Sequence, residues 1–309
     1  MDYLETFVRK NLLDFLQENK RKESKGQKVA IVGSGPSGLT VAEEMWQRGY
    51  DVTIFEGKDR IGGILRYGIP DFRLPNAILD ELEWRFYRLG IKVRPNTLIG
   101  AGITIDHLFR DGYEAIFLGT GVWRPGILNI RGESLPHVHF AIDYLKNPAV
   151  YRLGHRVVVI GGGNTAMDTA RTLVRNLEVE EVTILYRRSR KEMPARPQEI
   201  EAAQVEGVKF MFLAVPVEIG EVWIRCIRLE LGEPDEKGRQ RPLPVPDSEF
   251  DLSADSVLIA IGQRPRSLIV DTTMGIVVNE QGLLLTDKEG RTTREGVFGC
   301  GDVVLGGAL

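Results

Sequence analysis

The strongest constraint on this chain is a unit that occurs twice: apolar strand, glycine-rich turn, helix, second strand. In the first copy KVAIV (28–32) runs into GSGPSG (33–38), the helical LTVAEEMWQRG, and then DVTIFE (51–56). In the second, RVVVI (156–160) runs into GGGNTAMD (161–168), a helix expected to reach about Leu177, and EVTILY (181–186). Strands without polar alternation suit a parallel sheet covered on both faces, and two parallel strands need a crossover helix between them. Leu39, Ala42 and Trp46 share one face of the first helix, and Gly49 is placed to stop it. At 309 residues, a length where one core commonly divides, two such units indicate an α/β chain with two Rossmann-like dinucleotide-binding domains.

The remaining sequence adds fewer constraints. Ahead of the first unit, Leu4, Val8, Leu12 and Phe15 form an amphipathic helical stripe with Asp2 as N-cap, followed by the polar linker KRKESKG. SVLIAIG (256–262) reads as a third buried strand after a polar, hairpin-like stretch, and GVFGCGD (296–302) as a further strand ending in a tight turn. With 27% charged residues and a net charge of −3, nucleic acid is not an expected partner. No apolar run reaches the roughly 18 residues of a membrane span, and no signal peptide is recognisable, so a cytoplasmic location is expected. Cys226 and Cys300 lie far apart, form no metal or iron–sulfur ligand set, and are expected to be buried. The HVH at 137–139 reads as a loop feature, and no metal site is expected.

The two glycine turns carry the chemistry. In GSGPSG, Gly33 permits the sharp exit from the strand, Gly35 lets backbone approach a pyrophosphate, and Gly38 lets helix and strand pack closely. Pro36 and Ser37 complete the helix start, whose free N–H groups and partial positive charge attract an anion. Glu56 closes the second strand, where a carboxylate accepts the hydrogens of a ribose diol and repels a 2′-phosphate. In the second unit Gly161, Gly163 and Ala166 take the three small-residue positions, and Gly162, Asn164, Thr165 and Asp168 complete the turn and helix start. Its second strand ends in YRRSR, with Arg187, Arg188 and Arg190, and guanidinium forks match a phosphate dianion. The first site therefore suits FAD and the second NADP(H).

These motifs resemble the two-dinucleotide-domain flavoproteins, which have the thioredoxin reductase architecture. Within them, GGILRYGIPDFRLP (62–75) and YRRSRKEMPA (186–195) are similar to the small, NADPH-oxidising subunit of glutamate synthase. They are similar too to the NADPH-oxidising module of dihydropyrimidine dehydrogenase and to the large subunit of the bifurcating NADH-dependent ferredoxin–NADP oxidoreductase. The likeness runs from Lys28 to Asp302. It implies FAD contacts at Glu56, Gly57, Gly62 and Gly63, with Ile64, Leu65, Arg66, Gly68 and Ile69 near the flavin ring. It also places Thr120 and Gly121 of FLGTG at the junction of the domains and Gly262 of IGQRP near nicotinamide and flavin. Gly301 and Asp302 fall against the ribityl and phosphate portion.

The expected layout is a helix and linker over 1–27, an FAD domain over 28–152 and 256–309, and an inserted NADP(H) domain over 153–255. Two departures from the family pattern shape the expected function. No cysteine pair accompanies either glycine turn, which excludes dithiol exchange as the main chemistry. The family's leading cysteine-rich iron–sulfur segment and its closing helix after GDVV have no counterpart, so the expectation is either a fragment or a chain that leans on a partner for FAD binding. The implied activity takes hydride from NADPH onto flavin and passes electrons to a partner subunit bearing iron–sulfur clusters or FMN. A ferredoxin- or sulfur-linked oxidoreductase, or a nucleotide-binding scaffold without turnover, are the alternatives. No side chain is assigned a catalytic role.

Overall fold

A computed structural model of the chain describes residues 21–234 and 240–307. The helix expected at the N-terminus lies outside these residues. The chain divides into two units, Met1–Arg124 with Gln263–Ala308 and Pro125–Gly262.

The first unit opens with β1 (Lys28–Val32), α1 (Pro36–Gln47), β2 (Asp51–Phe55), α2 (Ile64–Tyr67), α3 (Asn76–Arg88), β3 (Lys92–Arg94), α4 (Ile105–Arg110) and β4 (Tyr113–Leu118). Within β1 the pleat sends Val29 and Ile31 to one face and Ala30 and Val32 to the other, which explains its unbroken apolar run. Val29 and Ile31 pack with Leu39 and Ala42 of α1 and Leu79, Leu82 and Phe86 of α3. Ala30 and Val32 pack with Ile105, Leu108, Ile116 and Val297. Helix α1 starts at a proline, pre-set for the first helical position. It stops before Gly49, whose φ is +91°; a Cβ there would lie 2.2 Å from the Glu23 carbonyl oxygen.

The second unit continues after β5 (Arg124–Pro125) with β6 (Val138–Phe140), α5 (Ala141–Lys146), β7 (Arg156–Ile160), α6 (Asn164–Leu173), β8 (Glu181–Tyr186), α7 (Pro197–Val205), β9 (Lys209–Phe212), β10 (Ala214–Ile219), β11 (Trp223–Pro234), β12 (Gln240–Ser253) and β13 (Ser256–Ile259). Its parallel sheet runs β6-β13-β7-β8-β9, beside an antiparallel β10-β11-β12 sheet. The side chains of β7 alternate between two buried faces as those of β1 do: Val157 and Val159 face one core, Val158 and Ile160 the other. The chain returns to the first unit through β14 (Gln263–Arg264), α8 (Leu268–Asp271), β15 (Val297–Gly299) and α9 (Asp302–Leu305), which completes a parallel β15-β4-β1-β2-β3 sheet.

Four sequence expectations change. Strand β13, expected in the first domain, pairs with β6 and β7 of the second sheet, and the units divide at 124/125 and 262/263 rather than at 152/153 and 255/256. A short, wholly buried run fits the middle of either parallel sheet, so its sequence does not identify its neighbours. The HVH stretch is not a loop: Val138–Phe140 forms edge strand β6, with Val138 paired to Val257. Helix α6 ends at Leu173, the last residue of its buried stripe; turns at Asn176 and Val179 follow, and Leu177 is exposed. Cys226 is buried but Cys300 is exposed, since it lies in the turn just past edge strand β15.

Candidate functional site

The first glycine turn is shaped by close backbone contacts. Gly33 has φ +97°, and a Cβ there would lie 2.6 Å from the Gly119 carbonyl oxygen and 3.1 Å from the Thr120 Cα. At Gly38 a Cβ would lie 2.0 Å from the Gly33 oxygen, so only glycine lets α1 pack this tightly on β1. Gly63, with φ +53°, lies against the turn: its Cβ would meet the Gly35 Cα at 2.6 Å. A Cβ on Gly301 would meet the Ser37 Oγ at 2.2 Å. Four separated stretches thus converge at the start of α1. Gly35 differs, because a Cβ on it would meet no protein atom within 4 Å. It is the extended N-cap of α1, and no side chain caps that helix. Open space beside unused helix-terminal donors suits a pyrophosphate.

Glu56 is buried at the floor of this turn. Its Oε2 accepts from the Ser34 N–H at 2.9 Å and from the Ser34 hydroxyl at 2.5 Å; its Oε1 accepts from the Lys58 N–H at 2.7 Å. Ser34 also accepts the Gly62 N–H, through its carbonyl at 3.0 Å and its hydroxyl at 3.2 Å. The carboxylate is therefore locked in place before any ligand arrives, with lone pairs still available on Oε1. Sequence reasoning did not single out Ser34. A hydroxyl inside the G-x-G, where the second turn has Gly162, was the available signal.

The other residues expected at this site divide into two groups. Leu65 is buried within α2, and the carboxyl of Asp302, at the start of α9, is half-buried, which raises its pKa from the ordinary aspartate value. Arg66 turns its guanidinium inward: Nε donates to the Ile61 carbonyl at 2.7 Å, and Nη1 pairs with Asp80 at 2.9 Å on α3. Arg60 joins Asp80 and Glu83 there, so these arginines fasten the 59–67 segment to α3. A Cβ on Gly57 would make ordinary contact with Leu98, and one on Gly68 would strike Ile64. Ile69 packs on the core, and Gly121, with φ +65°, lies near Trp123.

The second turn repeats the first in its backbone. The Gly33 N–H donates to the Phe55 carbonyl at 2.8 Å and the Gly161 N–H to Leu185 at 3.0 Å, while Val32 pairs with Phe55 as Ile160 does with Leu185. Gly35 and Gly163 are the extended, uncapped N-caps of α1 and α6. Gly161 has φ +146°, and a Cβ on it would lie 2.3 Å from the Ala260 oxygen. The 195–196 backbone binds this turn, Ala195 N–H to the Gly162 carbonyl at 3.1 Å and Arg196 N–H to Asn164 Oδ1 at 3.0 Å. Thr165 follows in the first turn of α6, with its carbonyl accepting from the Thr169 hydroxyl, whereas Asp168 is buried within that helix. Gly262, with φ +100°, has no atom within 4 Å of its would-be Cβ.

Beyond β8 the basic turn is built by residues the sequence reading passed over. Ser189 and Glu192 form a reciprocal capping box, with the Ser189 N–H and hydroxyl donating to the carboxylate. Arg188 Nε donates to the Gln240 carbonyl at 3.0 Å and Arg190 to the Gln204 side chain at 2.7 Å. Arg187 is exposed and has no hydrogen bond or ion pair among the described residues. Glu192 is spent on the capping box, so a net cationic turn faces solvent.

Comparison with known proteins places this geometry. The family model described as pyridine nucleotide-disulphide oxidoreductase matches residues 97–308, and one for an NAD(P)-binding Rossmann-like domain matches residues 31–77. The chain belongs to the pyridine nucleotide-disulphide oxidoreductase family.

Among curated members, the chain is 42% identical to the NADP(+)-dependent formate dehydrogenase subunit beta of Moorella thermoacetica, over 91% of this chain and 41% of that one. It is 39% identical to the glutamate synthase [NADPH] small chain of Halomonas elongata, over 92% of this chain and 64% of that one. The chain thus spans between two fifths and two thirds of the length of these relatives. Among solved structures, FprA from Mycobacterium tuberculosis in complex with NADPH aligns with a TM-score of 0.74 at 23% identity, over 91% of this chain and 80% of that one. Thioredoxin reductase from Lactococcus lactis aligns at 0.68 and 23%, over 90% of each chain. The fold is the two-Rossmann, thioredoxin-reductase-like one that the motifs resembled. No described helix is long and apolar enough to cross a membrane.

Proposed function

We propose that this chain is an NADPH-oxidising flavoprotein module of the glutamate synthase small-chain type, with FAD at the first glycine turn and NADPH at the second. The observation that carries this is the contrast between two turns of matching backbone. One ends in a buried, pre-locked carboxylate, Glu56; the other ends in a neutral ring followed by an unpaired guanidinium, Arg187. A carboxylate accepts an unphosphorylated ribose diol, and guanidinium groups favour a 2′-phosphate.

The chain's own residues bind, orient and exclude. The uncapped start of α1 receives one pyrophosphate and that of α6 the other. Glu56 accepts ribose hydroxyls through Oε1, and Asp302, next to Gly301 at the start of α9, offers its carboxyl to a polar group of the same ligand. Arg187 and Arg188 hold the 2′-phosphate of the second nucleotide. FAD and NADPH, when bound, would supply the chemistry of hydride transfer and single-electron release. Hydride transfer needs no side-chain acid or base.

The greater length of the curated relatives supports a further domain or a partner subunit, and the electrons would leave to iron–sulfur clusters or FMN held there. Purified protein is expected to be yellow, or to become so with added FAD, and to reduce an artificial acceptor faster with NADPH than with NADH. Arg187→Glu with Arg188→Glu should reverse that order. Colourless protein that takes up no FAD would overturn the assignment.

A further inference from the structure

A single peptide group in the first unit is gripped from both sides. The Ile61 carbonyl accepts from Arg66 Nε at 2.7 Å. The N–H of the same peptide, on Gly62, donates to the Ser34 carbonyl at 3.0 Å and to its hydroxyl at 3.2 Å. Gly62 has φ +124°, and glycine tolerates more than one orientation of the peptide before it, so local backbone does not fix this group. Its two hydrogen-bonded ends do. On one side Arg66 Nη1 pairs with Asp80 of α3 at 2.9 Å. On the other the Ser34 hydroxyl donates to Glu56 Oε2 at 2.5 Å. An unbroken polar chain therefore runs from Asp80 through Arg66, the Ile61–Gly62 peptide and Ser34 to Glu56. Just beyond the peptide, a Cβ on Gly63 would lie 2.6 Å from the Cα of Gly35, the residue that borders the open space at the start of α1.

We infer that Arg66 is a positioning residue for the first nucleotide: through the Ile61–Gly62 peptide it sets Ser34 and Glu56, and with them how firmly the ligand is retained. Its part lies in retention, not in the choice between nucleotides. The competing account is an ion pair that only stabilises the fold, and Arg60 supplies the comparison. The Arg60 guanidinium reaches the same carboxylates, Asp80 at 2.9 Å and Glu83 at 2.6 Å, from a part-exposed position, with no side-chain bond to the 61–62 peptide among the described residues. The Arg66 side chain is only 8% exposed, and its Nη2 is buried without a hydrogen bond among the described residues, 3.9 Å from Glu83. A guanidinium taken out of water so incompletely paired stabilises a fold poorly, whereas a charge-assisted donor aimed at one carbonyl orients it well. The inference rests on the assignment of FAD to this turn.

The full chain, stripped of flavin, is titrated with FAD, and the Kd of each variant is read beside its unfolding midpoint, so that lost folded protein is not counted as weaker binding. Arg66→Lys keeps a cation opposite Asp80 but not the planar group that holds Asp80 and Ile61 together. It should raise Kd by at least about tenfold, the scale of one charge-assisted hydrogen bond. Arg60→Lys, altered at the same carboxylates, should change Kd by less than about threefold. Ser34→Ala should also weaken FAD binding. In Arg66→Lys with Ser34→Ala the loss should fall clearly short of the product of the two single losses, because the second change acts on a peptide already released. If Arg66→Lys does not fold, Asp80→Asn, which removes the carboxylate steering Arg66, takes its place with the same expectation. A folded Arg66→Lys with the wild-type Kd, single losses that simply multiply, or an equal loss in Arg60→Lys would each overturn this inference alone. If wild type takes up no FAD, the FAD assignment fails and the inference with it.

Discussion

At the scale of single residues, burial and hydrogen bonding separate the groups that can react from those that only hold structure. Burial, assisted by the nearby Asp251 carboxylate, pushes the Cys226 thiol up to about 12, whereas Cys300 stands in solvent. A thiolate-selective reagent at mildly alkaline pH should label one cysteine per folded chain, at position 300, and a second only after denaturation. Rapid labelling of both in the native protein would contradict the packing of β11. Legibility at this scale was uneven. Glu56 and the glycines were readable because their geometry is demanded by local backbone, but Ser34 acts through Glu56, more than twenty positions away. Arg66 was readable as a charged residue near the first turn, but not its direction, which is set by Asp80 on another helix.

At the scale of elements, each turn depends on how closely its helix packs and on what anchors it. Gly38→Ala would place a Cβ 2.0 Å from the Gly33 oxygen, which is backbone and cannot step aside. The variant is expected to lose about 1–3 kcal/mol of stability and to retain FAD poorly, since α1 must move away from β1. Unchanged denaturation and FAD retention would count against the packing. In the second unit Arg171 on α6 pairs with Glu199 of α7 at 2.7 Å and with Glu206 just beyond it at 2.8 Å, and Arg175 also reaches Glu206. Burial works to raise the Glu206 carboxyl, but the guanidinium groups of Arg175 and Arg171 outweigh it and hold it down to about 2. A depressed value means the stabilisation is complete above the ordinary value of 4.5 and is lost as pH falls toward 2. Glu206→Gln should therefore cost on the order of 2 kcal/mol near neutrality, a gap that narrows as denaturation is repeated below about pH 4. A gap that stays constant with pH would show that the pair contributes no charge-dependent stability.

For the molecule as a whole, the paired βαβ units and both glycine turns were legible because strand burial, turn geometry and helix start are encoded within a few residues of one another. The assignment of β13 to the second sheet was not, because a four-residue buried strand fits the interior of either sheet. In the proposed reading, which nucleotide each turn accepts follows from opposed strand-end chemistry, Glu56 against Arg187, and so does the direction of electron flow. The most direct measurement is the flavin's visible absorption band, followed anaerobically after one equivalent of NADPH is added to the FAD-loaded chain. The account predicts rapid bleaching with NADPH and much slower bleaching with NADH. A band that NADPH leaves unchanged, or that NADH bleaches equally fast, would contradict it.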